Sequence, residues 1–252
     1  MNSNTHNACL PLRPSRRYAA WGILIALSLC GCSGGGSGPT TTTPTGPTQL
    51  FDFNAGTLGW TSDASDLPAN YDNQSFEISF SRAQLPAPLD TSKKALRLTS
   101  HNRSDDLWQF VRRRVGGLSA NTLYQLRFDV EIASDAPEDS VGVGGSPGAS
   151  VVVKAGASAQ EPTVKIEGGE RVFSLDKGNQ SVGGSEAYVL GSVGIAGDEF
   201  VYTLKSLSNA SRPFPVRTDN NGQVWVFVGT DSGFEGRKTL FYTQIKLSFT
   251  PA

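Results

Sequence analysis

Tyr124-Gln125-Leu126-Arg127-Phe128-Asp129-Val130-Glu131-Ile132 is the stretch that decides the fold, because apolar and polar residues alternate along its whole length. Alternation of period two places the apolar side chains on one face of an extended chain, which is the pattern of a half-buried β-strand. Segments 76–81, 200–204 and 241–249 carry the same alternation. Val224 to Val228 is apolar on both faces, which predicts a central strand.

Helical periodicity is missing from every window of a dozen residues in this domain, and Gly, Pro, Asn and Asp interrupt the chain throughout. We therefore predict an all-β fold, an antiparallel β-sandwich of eight or more strands over residues 49–252. The sequence contains thirteen phenylalanines, and these side chains are expected to fill the core in place of helices.

The first 31 residues have the pattern of a signal peptide. Arg13, Arg16 and Arg17 precede an apolar run from Tyr18 to Cys30. A helix of that length rises roughly 20 Å, which is short of the ~30 Å hydrocarbon core of a bilayer. A basic flank, a short apolar run and a small-residue exit predict a cleaved leader over residues 1–31. The Gly/Ser/Thr/Pro stretch that follows has no large apolar side chain and predicts a disordered linker over residues 32–48.

Leu29-Cys30-Gly31-Cys32 resembles the lipobox of bacterial lipoproteins, except that Cys30 stands where a small residue is commoner. The resemblance implies cleavage before Cys32, lipidation of Cys32 and attachment to a membrane through that lipid. Ser33 implies sorting to the outer membrane of a Gram-negative bacterium, with the periplasmic and surface faces both open. The alternative is ordinary signal cleavage beside an incidental cysteine. Since Cys9 and Cys30 fall in the leader, no disulfide within the mature chain is expected.

The charge balance gives no reason to expect nucleic acid as a partner. The leader contains three of the 22 basic residues and none of the 23 acidic ones, so the mature chain has a net charge of about −4. Arg112-Arg113-Arg114 is the one basic run. On a strand these three side chains alternate between faces, which favours a solvated edge over an anion site.

Phe51-Asp52-Phe53-Asn54, Gly59-Trp60 and the closing segment Leu240 to Phe249 resemble the first and last strands of jelly-roll, galactose-binding-like modules. The resemblance implies a jelly-roll-like sandwich. It also implies a structural calcium between acidic residues of these strands, but only Asp52 is present, and Thr243 and Gln244 stand where the second carboxylate would be. Trp60 is either a core residue or a platform for a sugar ring.

Polar segments, most of which contain glycine, separate the predicted strands at 101–106, 142–148, 176–181 and 229–235. With 154–158 and 86–90, they resemble segments of an uncharacterised family of secreted bacterial proteins, a resemblance that implies no activity. Such segments form tight turns, and turn formation alone is one interpretation. The other is that they converge and offer carboxylates, amides and cations to a polyhydroxylated ligand. The candidate binding residues are then Trp60, His101, Arg103, Asp105, Asp106, Lys154, Asp176, Asn179 and Asp231.

No cofactor is expected, although Asp52, Asp105 and Asp176 are candidate calcium ligands, since calcium accepts irregular carboxylate geometry. The sequence favours a lipid-anchored envelope protein that binds glycan or another surface polymer. The alternatives are a structural envelope lipoprotein and a carbohydrate-active enzyme, either a polysaccharide lyase or a hydrolase. In an enzyme, His101 would act as general base, Asp105 or Asp106 would orient it, and Lys154 or a tyrosine would supply a second proton-transfer group.

Overall fold

The structure, a computed structural model, describes residues 46–252. The predicted signal peptide, the lipobox, Cys32 and nearly all of the linker lie outside the described residues. The elements are β1 (Thr48–Asp52), β2 (Thr61–Ser65), β3 (Leu67–Pro68), α1 (Asn73–Phe76), β4 (Ser79–Gln84), β5 (Lys94–His101), β6 (Leu107–Val115), β7 (Leu123–Ser134), β8 (Val151–Ser158), β9 (Val164–Glu167), β10 (Glu170–Phe173), β11 (Ala187–Ser192), β12 (Thr203–Ser208), β13 (Phe214–Arg217), β14 (Val224–Ser232) and β15 (Arg237–Pro251).

Two main sheets form the sandwich. The seven-stranded sheet has the order β12-β7-β15-β5-β4, with β1 paired to β15 and β13 paired to β7. The five-stranded sheet has the order β11-β8-β14-β6-β2, and β3, β10 and β9 form a small third sheet. All of these strand pairs are antiparallel. The predicted all-β antiparallel sandwich is confirmed. In the described part of the chain, no helix has the length and apolar character needed to cross a bilayer.

The alternation along β7 creates the main core. Its apolar side chains from Tyr124 to Ile132 are buried, and they pack with inward-facing valines of β8 and β14 from the opposite sheet. Each fully buried side chain of this size stabilises the fold by about 1.5–3 kcal/mol relative to exposure. The predicted central strand at Val224 to Val228 is confirmed, because β14 is paired on both sides, with β6 and β8.

Two predicted strands are displaced. Phe76 does not begin a strand but ends α1, a single turn whose first amide groups are capped by Asp72, and β4 begins only at Ser79. Phe200 and Tyr202 precede β12, which begins at Thr203. Alternation over five or six residues cannot separate a strand from a loop that leads into one. The second displacement matters for function, because it places two aromatic rings in a loop.

Trp60 is a core residue. It is only 2% exposed and meets Phe51 and Phe53 edge-on, with ring centroids 5.5 and 6.1 Å apart. Its candidate binding role is therefore corrected, because no ring face is open to a sugar. Arg113 turns inward next to this cluster, with its guanidinium carbon 4.7 Å from the centre of the Phe51 ring, and burial lowers its pKa.

The outer face of the five-stranded sheet is also covered. Trp108, Phe110 and Phe227 form a second apolar cluster there with Phe173 and Leu175, which belong to the segment 173–187. Because Val151 and Val153 face the main core, the intervening residues of β8 point to this outer face. The cover therefore encloses polar residues of β8 and β14 as well as apolar ones.

Candidate functional site

A buried charge cluster, made of Asp66, Asp106, Lys154, Lys177 and Asp231, lies beneath this cover. The Nζ of Lys154 donates to Oδ2 of Asp231 at 2.7 Å, and both side chains are 0% exposed. The Nζ of Lys177 lies 2.9 Å from the same oxygen and 2.9 Å from Oδ2 of Asp66. One carboxylate of β14 therefore holds two ammonium groups.

The ammonium group of Lys154 has no capacity left for a ligand. Besides Asp231, it donates to the carbonyl oxygens of Lys177 at 3.0 Å and Val182 at 2.8 Å. Three acceptors use all three of its N–H groups. Of the candidate catalytic residues His101, Asp105 and Lys154, Lys154 is therefore enclosed and fully hydrogen-bonded.

Asp106 carries the least usual carboxyl of the cluster. Burial, a hydrogen bond with Asp231 and the charge of Asp231 raise the pKa of Asp106 to about 7. Burial works to raise the pKa of Asp231 as well, but the hydrogen bond from Asp106 and the charges of Lys177 and Lys154 lower it. In the described part of the chain, Oδ1 of Asp106 and Oδ1 of Asp231 are buried and neither has a hydrogen-bond partner. A proton on Asp106 would supply the missing donor.

A metal ion fits the cluster less well than that proton. Oxygen atoms of Asp66, Asp106 and Asp231 lie within 4.8 Å of one another. However, two ammonium groups lie within 3 Å of this trio, and they would repel a cation. Within residues 46–252, the calcium candidates Asp52, Asp105 and Asp176 form no such trio.

Asp176 and Asn179 belong to the segment that covers the cluster. Asp176 accepts hydrogen bonds from the backbone N–H groups of Ser185 at 2.8 Å and Gly178 at 3.0 Å, and these bonds lower its pKa. The carbonyl of Asn179 accepts from the N–H of Val182 at 2.9 Å. Both residues shape the loop that carries the two carbonyl oxygens bound by Lys154. These contacts are the ones expected of turn residues, which is one of the two interpretations of segment 176–181.

His101 and Arg103 lie in a separate group at the end of β5. The Nδ1 of His101 is 3.2 Å from Oε1 of Glu77 and 3.2 Å from the guanidinium of Arg103. Oε2 of Glu77 in turn accepts from Nε of Arg237 at 2.7 Å. Glu77, which the sequence did not single out, therefore orients His101, and Asp105 is exposed in the turn that follows.

A cleft at one end of the sandwich has both aromatic and polar walls, and the sequence did not single it out. We call it the loop-end cleft and define it by Asp135, Val141, Phe200, Tyr202, Phe234, Arg237 and Lys238. It comprises two adjoining cavities of about 420 and 490 Å³ that share Val141 and Phe200. Val141 is 95% exposed and Phe200 is 61% exposed. The walls come from the loops β7–β8, β11–β12 and β14–β15.

Glycine explains how the Phe234 ring is seated in this cleft. A Cβ atom added at Gly142 or at Gly236 would overlap the ring of Phe234. The two glycines thus let backbone from two loops approach one aromatic ring closely. The glycine-rich segments predicted as turns here also have a packing role.

Three titratable groups at the walls have displaced pKa values. Burial lowers the pKa of Lys238 to about 7, and its Nζ donates to Oγ1 of Thr230 at 2.6 Å. Burial and the neighbouring Asp135 raise the pKa of Tyr202 to about 12, and burial raises the pKa of Asp135. Displaced pKa values beside an open cavity are typical of functional sites.

Comparisons with known proteins return remote structural likenesses only. No protein-family model matches the chain, and no curated protein matches it. TmCBM61, solved in complex with β-1,4-galactotriose, is 12% identical, with 78% of this chain and 92% of that chain covered at a TM-score of 0.38. The family 11 carbohydrate-binding module of the cellulosomal cellulase Lic26A-Cel5E of Clostridium thermocellum is 9% identical, with 83% and 97% covered at 0.38. The K3 adhesin domain of Lys-gingipain from Porphyromonas gingivalis is 10% identical, with 79% and 98% covered at 0.37. At these values the likeness is limited to general architecture.

Proposed function

We propose that this protein binds glycans of or near the bacterial cell envelope and that the loop-end cleft is the binding site. The observation that carries the proposal is the exposed ring of Phe200, which lies at the junction of the two cavities. Sugar rings combine apolar C–H faces, which pack on aromatic rings, with hydroxyl groups, which need donors and acceptors. An open aromatic ring beside polar groups suits both needs.

The polar groups of the cleft support a glycan over a purely apolar ligand. Asp135 and the exposed guanidinium of Arg237 stand beside Phe200 and Tyr202. Carboxylate oxygens accept hydrogen bonds from sugar hydroxyls, and guanidinium groups donate to them. Each cavity falls within the 300–1,000 Å³ range that is common for small-ligand sites.

The test is titration calorimetry of the mature protein with neutral oligosaccharides of glucose, galactose and mannose. Phe200→Ala is expected to weaken binding about tenfold or more, because it removes a central aromatic contact. Ile166→Ala is the matched control, since Ile166 is 58% exposed on β9 and does not line the cleft. If no saccharide binds, or if both variants bind as the parent does, the proposal is wrong.

Attachment through Cys32 remains part of the proposal and rests on the sequence alone. A lipid on Cys32 would tether the sandwich through a Gly/Ser/Thr/Pro linker. Expression of the full chain in a Gram-negative host should give a membrane-bound product whose mass includes the acyl groups. Cys32→Ser should lose the acyl mass, and a parental protein whose Cys32 carries no acyl group would contradict the anchor.

Cleavage of the bound glycan is the second candidate function, and one observation favours it. Lys238 lines the cleft, and burial lowers its pKa to about 7. To accept a proton from a bound glycan, its Nζ would have to leave the hydroxyl of Thr230, to which it donates at 2.6 Å. Reducing ends or unsaturated products released from a binding polysaccharide would support this function. Their loss in Lys238→Met, with binding retained, would assign the proton transfer to Lys238. Absence of any product from every polysaccharide that binds would exclude it.

A further inference from the structure

A second cavity lies on the open edge of the sandwich, where β11 and β12 are the outermost strands. This edge cleft, of about 500 Å³, is bounded by Tyr188 and Leu190 of β11, the turn at Gly183 and the segment from Ser208 to Arg212. It shares no lining residue with the loop-end cleft. The two clefts can therefore be tested separately.

Arg212 is the cation of this edge cleft. Its guanidinium carbon lies 4.4 Å from the centre of the Tyr188 ring, and the Tyr188 ring meets Phe214 edge-on at 4.9 Å. The attraction of a cation to a ring face holds the guanidinium over Tyr188 without using its N–H groups. Arg212 is thus positioned with donors to spare.

No nearby acidic side chain among the described residues balances the positive charge of Arg212. None of the residues that line the edge cleft is acidic. Arg114, Arg127 and Arg171 each pair with an aspartate, whereas within residues 46–252 Arg212 has no carboxylate within 4 Å. An arginine with free in-plane donors is suited to a carboxylate, which it can bind through two parallel hydrogen bonds.

The remaining wall offers neutral polar groups rather than competing charges. The buried Asn209 is fully committed to the fold, since its Oδ1 accepts from the N–H of Phe128 and its Nδ2 donates to the carbonyl of Leu126. The exposed Ser211 is one hydroxyl next to Arg212, and Gly183 presents backbone without a side chain. This wall leaves room for a ring that carries hydroxyl groups.

We propose that the edge cleft binds an acidic sugar residue, with the sugar carboxylate held by the guanidinium of Arg212. The inference rests on the proposed function only in taking a glycan as the ligand. It adds the class of glycan, a polymer that contains uronate residues, and the residue that selects it.

The experiment titrates the mature protein with tri-galacturonate and with neutral galactotriose. Tri-galacturonate is expected to bind more tightly, and its binding should weaken as salt is added, because the contact is ionic. Arg212→Ala should reduce tri-galacturonate affinity at least tenfold. Arg212→Lys should recover only part of it, because an ammonium group cannot form the paired hydrogen bonds.

Arg217→Ala is the matched control, because Arg217 is an exposed arginine of β13 that does not line the edge cleft. Equal losses in Arg212→Ala and Arg217→Ala would indicate non-specific attraction and overturn the inference. Failure of tri-galacturonate to bind would overturn it as well, while neutral binding that depends on Phe200 would leave the proposed function intact. Acidic binding that depends on Arg212 without any neutral binding would support the edge cleft and contradict the loop-end cleft. Binding of a sulfated trisaccharide instead, dependent on Arg212, would overturn the assignment to a carboxylate.

Discussion

The buried charge cluster and the loop-end cleft contain similar polar residues, but these residues have different roles in the two regions. In the cluster, Lys154 and Lys177 face Asp231 and Asp66, and backbone carbonyls take the remaining donors. In the cleft, Phe200 and its polar neighbours face open space. A charge that the protein itself pairs contributes to folding, whereas a group left open is available to a ligand. The difference lies in burial and partners, not in residue type.

Asp231→Ala is the strongest test of a structural role for the cluster. The substitution leaves the ammonium groups of Lys154 and Lys177 buried without their shared carboxylate. Removal of one partner of a buried pair costs about 3–5 kcal/mol, so the free energy of unfolding in urea should fall by that amount. The double variant Lys154→Met with Asp231→Leu should recover part of the loss, because it removes buried charge on both sides.

Asp105→Asn is the control for that measurement, since Asp105 is an exposed aspartate close to the same cluster in sequence, and Asn tolerates its positive φ of 67°. Its free energy of unfolding should change by no more than about 0.5 kcal/mol. If Asp231→Ala lowers the free energy of unfolding by as little as this, the contrast between the two regions is wrong. Asp231 would then not be needed for folding.

Asp106→Asn tests the shared proton through its pH dependence. With a folded pKa of about 7 against an ordinary 3.8, the folded protein holds a proton that the unfolded chain releases. The stability from this proton is complete below pH 3.8 and is lost as pH rises to about 7. An amide keeps the donor but cannot ionise, so Asp106→Asn should be more stable than the parent at pH 8, by about 1–2 kcal/mol.

The measurement is urea unfolding at pH 5 and pH 8, with Asp198→Asn as the control at an exposed carboxylate. The control should leave the difference between the two pH values unchanged. A stability gap between pH 5 and pH 8 that is equal in Asp106→Asn and the parent would show that no proton is shared with Asp231. The carboxylates of Asp66, Asp106 and Asp231 would then again be a candidate cation site.

The fold could be predicted from the sequence because its strongest signal is local. The alternation from Tyr124 to Ile132 and the apolar run from Val224 to Val228 each determine which side chains face inward. The run around Lys154 also carries a signal of burial. A lysine between valines and alanines, in a strand without alternation, indicates burial on both faces and hence a paired charge.

The loop-end cleft could not be predicted in the same way. Phe200, Val141 and Phe234 come from three loops that are far apart in the chain, and only the sheet topology brings them together. The apparent alternation from Phe200 to Leu204 even suggested a strand there. His101 illustrates the same limit, because the sequence left it as either a general base or a turn residue, and only the structure pairs it with the distant Glu77.

Of these substitutions, His101→Ala should have the smallest effect on the free energy of unfolding. It tests the contrast between the two regions at a partly exposed ion pair. The contact of His101 with Glu77 is partly exposed, and Glu77 keeps Arg237 as a partner without it. Pairs of this kind contribute about 0–1 kcal/mol, so the free energy of unfolding should change little. Glycan affinity should stay at the parental value, since His101 does not line the loop-end cleft. Because Arg237 does line that cleft, a clear loss of affinity in His101→Ala with stability unchanged would extend the binding site from Arg237 through Glu77 to His101.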